Sequence, residues 1–254
     1  MSTQPRIALV TGASRGLGRN TALHLAEKGV DLLVTYRSNA AEAESVVTAA
    51  KEFGRSAVAF QLDAGDVRAF DGFVADVRRT LKQTWDRDSF DILVNNAGIG
   101  VYAPFAETTE DAFDELMNVH FKGVYFLTQK LLPVLADGGR VVNLSTGLTR
   151  FTAEGYSAYA AMKGAVEVLT RYLAKELGPR HITVNTVAPG PIETDFGGGM
   201  VRDNEQVNSF FAAQTALGRV GLPDDIGGAI SAVLSEGTGW ITGQRIEASG
   251  GTFL

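Results

Sequence analysis

The chain contains no cysteine, which excludes disulfides, thiolate zinc sites and a cysteine nucleophile. Histidine is almost as scarce: His24, His120 and His181 stand too far apart in sequence to suggest a metal cluster. No run of Lys and Arg occurs, and 23 basic against 29 acidic residues leave a formal charge of −6. The positive footprint that nucleic acid or anionic lipid needs is therefore missing. Nowhere do 18 apolar residues follow one another, so no membrane-spanning segment is expected. Residues 1–6 are polar and lead straight into a short apolar run, without the charged region and apolar core of a secretory signal. A soluble cytoplasmic protein is the expectation, with chemistry that relies on neither thiolates nor clustered imidazoles.

What is present is a moderately apolar chain rich in glycine. Of 254 residues 45% are hydrophobic, enough to fill a substantial core and to exclude disorder as the main state. Glycine accounts for 29 of them, above the usual ~7%, which implies sharp turns or close backbone approaches. Short β-rich runs at 6–11, 31–36, 57–62, 91–95, 140–144 and 182–187 read as strands. Most are continuously apolar, as strands covered on both faces are. Helical patterns lie between them at 18–28, 40–53 and 66–82, then at 110–136 with breaks at Gly123 and Pro133, and at 156–177. This alternation predicts an α/β fold with a parallel sheet and right-handed crossovers. No linker, repeat or low-complexity tract divides residues 1–254, so one domain is expected. Gly197-Gly198-Gly199, in a stretch from about 190 to 212 that ends near Phe210-Phe211, reads as a mobile flap over a site.

The first strand runs into Thr11-Gly12-Ala13-Ser14-Arg15-Gly16-Leu17-Gly18, and a helix follows. Glycines in that place let the backbone turn, approach a pyrophosphate and present helix N-terminal N–H groups to it. The spacing Gly-x3-Gly-x-Gly differs from the Gly-x-Gly-x-x-Gly fingerprint, and position after the first strand is what makes it informative. Tyr36, Arg37 and Ser38 close the second strand, where an acidic residue would accept from the ribose hydroxyls of NAD. Arg37 together with Arg15 instead offers guanidinium groups to the 2′-phosphate of NADP. NADP(H) is therefore expected, with NAD(H) as second choice.

These residues, with Asp63, Asn95-Asn96-Ala97-Gly98, Asn118, Tyr159-x3-Lys163, Pro189-Gly190, Ile241-Thr242-Gly243-Gln244 and Gly250-Gly251, resemble the short-chain dehydrogenase/reductase family over essentially the whole chain. The resemblance implies a single-domain doubly wound Rossmann fold with a central, mostly parallel sheet of about seven strands flanked by helices. It assigns the cofactor to Gly12, Ser14, Arg15, Gly16, Leu17 and Gly18, to Arg37 and Ser38, and to Leu62 and Asp63 beside the adenine. Asn95, Ala97 and Gly98 would pack on the adenosine side. Tyr159, Lys163, Pro189, Gly190, Ile192 and Thr194 would complete the cofactor set. The catalytic residues it implies are Asn118, Thr146, Tyr159 and Lys163, with Asn118 holding a water that links Lys163 to solvent. Family members are commonly dimers or tetramers through the helices at 110–136 and 156–177, so a homo-oligomer is expected.

The implied pair can be weighed physically. Tyr159 and Lys163 are four apart on a predicted helix and share one face, with Cβ atoms about 5 to 6 Å apart. At ~5 Å and an effective dielectric of ~20 the ammonium favours phenolate by about 3 kcal/mol, bringing a phenol of ordinary pKa about 10 to near 7 to 8. The family's active-site hydroxyl, usually a serine, falls by count on Thr146, a departure from the pattern, and Ser145 one residue earlier is the alternative. Tyr156 lies seven residues before Lys163 and fits the Tyr-x6-Lys spacing of enoyl reductases, but the glycine turn matches carbonyl reductases. Hydride transfer between NADP(H) and a ketone or secondary alcohol is the expected activity. Alternatives are a 3-oxoacyl-carrier-protein reductase, whose acidic carrier would need Arg171, Lys175 and Arg180 to gather, and a non-catalytic NADP-binding regulator or scaffold. Tyr102, Phe151, Phe196, Phe210 and Phe211 are candidates for an apolar substrate cleft.

Overall fold

A computed structural model describes residues 5–254. Its centre is a seven-stranded sheet in the order β3-β2-β1-β4-β5-β6-β7, with every neighbouring pair parallel. The strands are β1 (Ile7–Val10), β2 (Asp31–Tyr36), β3 (Ala57–Gln61), β4 (Phe90–Asn95), β5 (Leu135–Leu144), β6 (Thr183–Pro189) and β7 (Arg245–Ala248). Alternate residues of a strand face opposite sides, and β1 shows the consequence. Ala8 and Val10 enter an apolar core with Ala22, Leu25, Val46, Ile226 and Ile230. Ile7 and Leu9 enter a second core with Phe70, Val77, Leu127, Leu131 and Val184. All four residues are fully buried, which is why the strand reads as a continuous apolar run rather than an alternation.

Helices α1 (Gly16–Glu27) and α2 (Ala40–Glu52) cover one face, and α3 (Phe70–Trp85) covers the other. The Asn39 side chain accepts from the Glu42 N–H at 3.2 Å and so starts α2. Thr109 caps α4 (Glu110–Met117) in the same way, accepting from Ala112 N–H at 3.2 Å. A single turn of π-helix, Asn118–Lys122, joins α4 to α5 (Gly123–Leu131). The long α6 (Ser157–Leu177) follows β5, and the short α7 (Met200–Asp203) and α8 (Glu205–Ala213) follow β6.

The sequence reading differs from this architecture at three places. Helix 110–136 ends earlier, because Pro133 lies in a 3-10 turn, Leu132–Val134, and Leu135 already belongs to β5. β7 and α9 (Pro223–Val233) were not assigned ranges. β7 is only half-buried and carries Arg245 and Glu247, so it has no apolar run to read. The strand order reverses between β1 and β4, and in open parallel sheets ligands bind at the carboxyl ends of the strands at such a reversal.

Candidate active site

The loops leaving β1 and β4 meet at that reversal. Gly12 and Gly16 have φ of 62° and 56°, a left-handed conformation that glycine alone adopts at little cost. A Cβ on Gly18 would fall on the Gly12 carbonyl and the Asn96 amide nitrogen, so helix and turn pack at backbone distance. Asn96 closes the turn: its Nδ2 donates to the carbonyls of Thr11 at 2.8 Å and Gly12 at 3.1 Å. The Thr11 hydroxyl accepts from the N–H groups of Asn96 and Ala97, each at 3.0 Å. The Asn-Asn-Ala-Gly motif points to the backbone of Asn96, and the part its side chain plays in closing the turn is visible only in the structure. Thr194 stands opposite Gly16, and Gly190 packs on Ser249 beside β7. Ser14 and Leu17 lie in the turn, partly covered, and Leu17 also packs on the core below. Pro189 ends β6, and Ile192 bridges to Gly221.

At the end of β2 the exposed Arg37 guanidinium pairs with Asp63 at 3.4 Å. Ser38 beside it is exposed, and the buried Leu62 holds its place by donating its N–H to the Tyr36 carbonyl at 2.8 Å. Arg15 reaches Asp195, the residue before Phe196, at 3.9 Å. Two exposed cations therefore flank the glycine turn, each with one carboxylate beside it. Asp63, expected beside the adenine, pairs with Arg37 and accepts from Gly65 N–H at 2.8 Å.

Tyr159 and Lys163 lie together on α6, both buried, with the Lys163 Nζ 5.9 Å from the centre of the phenol ring. Lys163 donates to the Leu144 carbonyl at 2.7 Å. The Ser145 hydroxyl donates to Glu167 at 2.6 Å, while Thr146 faces the phenol and its hydroxyl favours the phenolate. Successive residues after a strand point to opposite sides, so the commitment of Ser145 to Glu167 puts Thr146 on the tyrosine side. Thr146 Oγ1 accepts from Leu148 N–H at 3.3 Å, which leaves its own hydrogen to donate.

Electrostatics departs from the sequence estimate. Burial pushes the Tyr159 phenol well above its ordinary range rather than down to 7 to 8. Burial likewise pulls the Lys163 ammonium down to about 7. The Coulomb argument counted the attraction between the two groups and omitted the cost of taking each charge out of water, and here that cost dominates.

Asn118 lies between α4 and α5. It opens the π-helical turn, its carbonyl accepts from Gly123 N–H, and its Cβ lies beside Gly65 in the loop after β3. His120, two residues on, is the side chain that meets the pair. It is fully buried and meets the Tyr159 ring edge to face at 5.0 Å. Its Nε2 lies 2.8 Å from the Ile99 carbonyl, to which it donates as Nε2–H, and 3.3 Å from the Ile99 amide nitrogen, from which it accepts in the other tautomer, and Nδ1 has no partner among the described residues. Burial first, and then the Lys163 charge, push it down to about 3. A π-turn shifts residues by one place relative to an α-helix, and nothing in the residue types announces it.

Asn95 is likewise turned inward. Its Nδ2 donates to Thr128 at 3.0 Å and Asn143 at 2.8 Å, and Asn143 donates to Thr170 at 2.9 Å. This buried ladder ties β4 to β5 and α6, so Asn95 supports the site while Ala97 and Gly98 lie at it. The candidate aromatics divide in two. Phe196 lies 5.6 Å from Tyr159, and Tyr102 and Tyr156 pack together at 5.7 Å on the other side, with Tyr156 6.4 Å from Tyr159. Phe151, Phe210 and Phe211 gather instead around Phe253. A hollow of about 740 Å³ between α1 and α9 is lined by Arg6, His24, Val30 and Ser231. It opens at the amino edge of the sheet, away from Tyr159.

Residues 12–252 match the family described as Enoyl-(Acyl carrier protein) reductase. The chain is 36% identical to an uncharacterized oxidoreductase of Methylorubrum extorquens, with 97% of each covered. It is 33% identical to a versicolorin reductase of Emericella nidulans, covering 98% of this chain and 96% of that one. Among solved structures it is similar to LugOII, a promiscuous reductase that catalyses keto-reduction at C1 during lugdunomycin biosynthesis. The TM-score is 0.92 at 36% identity, with 98% of each chain covered. The angucycline C-6 ketoreductase LanV, solved with bound NADP, superposes with a TM-score of 0.92 at 35% identity, covering 98% of this chain and 95% of that one.

Proposed function

Because this chain belongs to the short-chain dehydrogenase/reductase family, we propose that it is an NADPH-dependent carbonyl reductase, exchanging hydride between NADP(H) and a ketone or secondary alcohol. The observation that carries the reading is the buried Tyr159–Lys163 pair on one face of α6 with the Thr146 hydroxyl opposite the phenol. A binding module has no need of an ammonium held in a desolvated place. The cofactor fits the turn on two counts: Gly12 and Gly18 pack the turn at backbone distance on Ala97 and Asn96 and leave it without side chains ahead of α1, and Arg37 stands where NAD would meet an acid. Gly12 to Gly18, Ala97, Gly98, Gly190 and Thr194 would hold it, Arg37 and Arg15 would meet the 2′-phosphate, and Lys163 would bind the nicotinamide ribose. When bound, NADPH supplies the hydride.

The chain's own residues do the rest. Thr146 and Tyr159 donate hydrogen bonds to the carbonyl oxygen and hold it in place. As negative charge develops there, the proton moves from the Tyr159 hydroxyl to that oxygen, and the nearby Lys163 ammonium stabilises the phenolate left behind. Burial that keeps the phenol protonated at neutral pH suits a donor. The rings of Tyr102, Tyr156 and Phe196 around Tyr159 favour a substrate with a flat apolar part. An acyl carrier is less well served, because Arg180 is already committed to Asp137 and to the Leu132 and Leu135 carbonyls, and Arg171 to the Glu167 carbonyl.

The test is NADPH and NADH oxidation across a panel of aromatic and aliphatic ketones, with Tyr159→Phe as the control. The wild type is expected to turn over with NADPH preferred. The variant should lose at least about a hundredfold in kcat, the general range for a positioned acid, while still binding NADPH. Turnover of Tyr159→Phe within about tenfold would remove the donor assignment, and silence across the panel would favour a non-catalytic regulator.

A further inference from the structure

Behind Thr146 lies a set of ions that the reaction above does not use. Glu167 stands four residues beyond Lys163 on α6, hence on the same face. Its Oε1 accepts from Ser145 at 2.6 Å, from the Thr149 hydroxyl at 2.8 Å and from Arg245 Nε at 2.8 Å. Arg245, at the start of β7, donates through Nη2 to the Thr146 carbonyl at 3.1 Å and through Nη1 to Glu247 at 2.8 Å. Glu247 is two residues along the same strand face. It accepts two bonds from Arg150, at 2.6 and 2.9 Å, and one from Ser249 at 2.7 Å. Arg150 reaches on to the carbonyls of Thr252 at 2.6 Å and Phe253 at 3.0 Å. The Phe253 ring lies 4.8 Å from Phe151 and 6.4 and 6.5 Å from Phe210 and Phe211 of α8. Two carboxylates and two guanidiniums thus alternate from the threonine loop to the last residues of the chain.

We propose that Glu167 and Arg245 are positioning residues that set the Thr146 hydroxyl against Tyr159, and that the Glu247–Arg150 end of the same network sets the C-terminal residues on which α8 rests. The first half rests on the reading of Thr146 and Tyr159 as the groups that hold the ketone oxygen. Ser145 and Thr149 are both tied to one oxygen of Glu167, and the Thr146 carbonyl between them is tied to Arg245. The backbone of 145–149 is therefore held at three points against α6, the helix that carries Tyr159 and Lys163. With Ser145 fixed to one side, Thr146 has the other. Only a planar fork meets Glu167, Glu247 and the Thr146 carbonyl together, which is why an ammonium is no substitute for this guanidinium.

Arg245→Lys keeps the charge and loses the fork. In steady-state ketone reduction it should lower kcat about tenfold, the scale on which small misplacements of a reacting group act, with KM and NADPH affinity within about twofold. Arg150→Gln, at the far end, should leave kcat and KM within about twofold and quicken amide exchange across residues 205–213 of α8. Amide exchange across residues 145–151, read by mass spectrometry without substrate, should quicken in Arg245→Lys and not in Arg150→Gln. A kcat for Arg245→Lys within about twofold of wild type, or equal loss of kcat and gain in KM in both variants, would reduce the network to a stability role. Tyr159→Phe separates the two proposals: if it is inactive while Arg245→Lys is fully active, this inference alone falls. If Tyr159→Phe retains turnover, the reading of the site falls, and amide exchange still decides whether Arg245 orders the loop.

Discussion

Lys163 is where the site conflicts most with its surroundings. Its ammonium is buried and has the Leu144 carbonyl as acceptor, and burial brings it down to about 7 from an ordinary 10.5. Between those two values an unfolded chain holds a proton that the fold refuses, so stability falls as pH drops from about 10.5 to about 7 and the cost is complete below that. Lys163→Met should relieve the cost and leave the Leu144 carbonyl unpaired, for a net gain of about 2 kcal/mol at pH 7. Urea midpoints check it, and the gap should narrow as pH rises toward 10, about where wild type regains its stability. The same variant should be inactive. Because the charged form stabilises the phenolate, kcat/KM of the wild type should decline as pH rises through about 7. His120, pushed down to about 3, should add no limb between pH 5 and 8. The Tyr-x3-Lys pair was legible as spacing, while the direction of both titrations was not. Desolvation depends on what packs around the pair, here Leu116, Met162, His120 and Phe196, and these come from four segments of the chain.

Elements with a clean apolar pattern were legible and those without one were not. β2 spans 31–36 as read, because all its residues but Tyr36 are buried and say so. β7 pairs only with β6 and carries two of the four charges of the network, Arg245 and Glu247, so its pattern is that of a surface loop. The π-turn at Asn118–Lys122 sets His120 against Tyr159, a placement that depends on backbone hydrogen bonding rather than residue type. Gly197, Gly198 and Gly199 have φ of 60°, 75° and 77°, a run of left-handed conformations before α7. Phe196, just before them, lies beside Tyr159 and against Gly100. Phe196→Ala should therefore raise KM for an aromatic ketone about tenfold, the scale of one lost ring contact in a cleft, with NADPH affinity unchanged. Steady-state kinetics beside a direct NADPH titration would show it, and equal loss of both affinities would place Phe196 with the cofactor instead.

At the scale of the molecule, the outer faces of α4, α5 and α6 keep large apolar side chains in solvent: Phe113, Tyr125, Phe126, Val168 and Tyr172. An apolar patch across three neighbouring helices is the mark of an association surface, and a two-fold interface would pair it with its own copy. The protein is expected to sediment as a dimer or tetramer, and Phe126→Glu with Tyr172→Glu to shift it to a smaller species with its circular dichroism unchanged. A monomeric wild type in sedimentation velocity would leave that patch without a partner of its own kind.

The sequence by itself determined what depends on near neighbours in the chain. The alternation of strands and helices, the glycine turn after β1, the sharing of a helix face by Tyr159 and Lys163, and the absence of thiolates all follow from spacing and composition. Tertiary structure alone decided the strand order, the commitment of Ser145 to Glu167, the contact of His120 with Tyr159 and the inward turn of Asn95. Those depend on contacts between residues distant in sequence and on the water each burial removes, and neither is a property of any local stretch of chain.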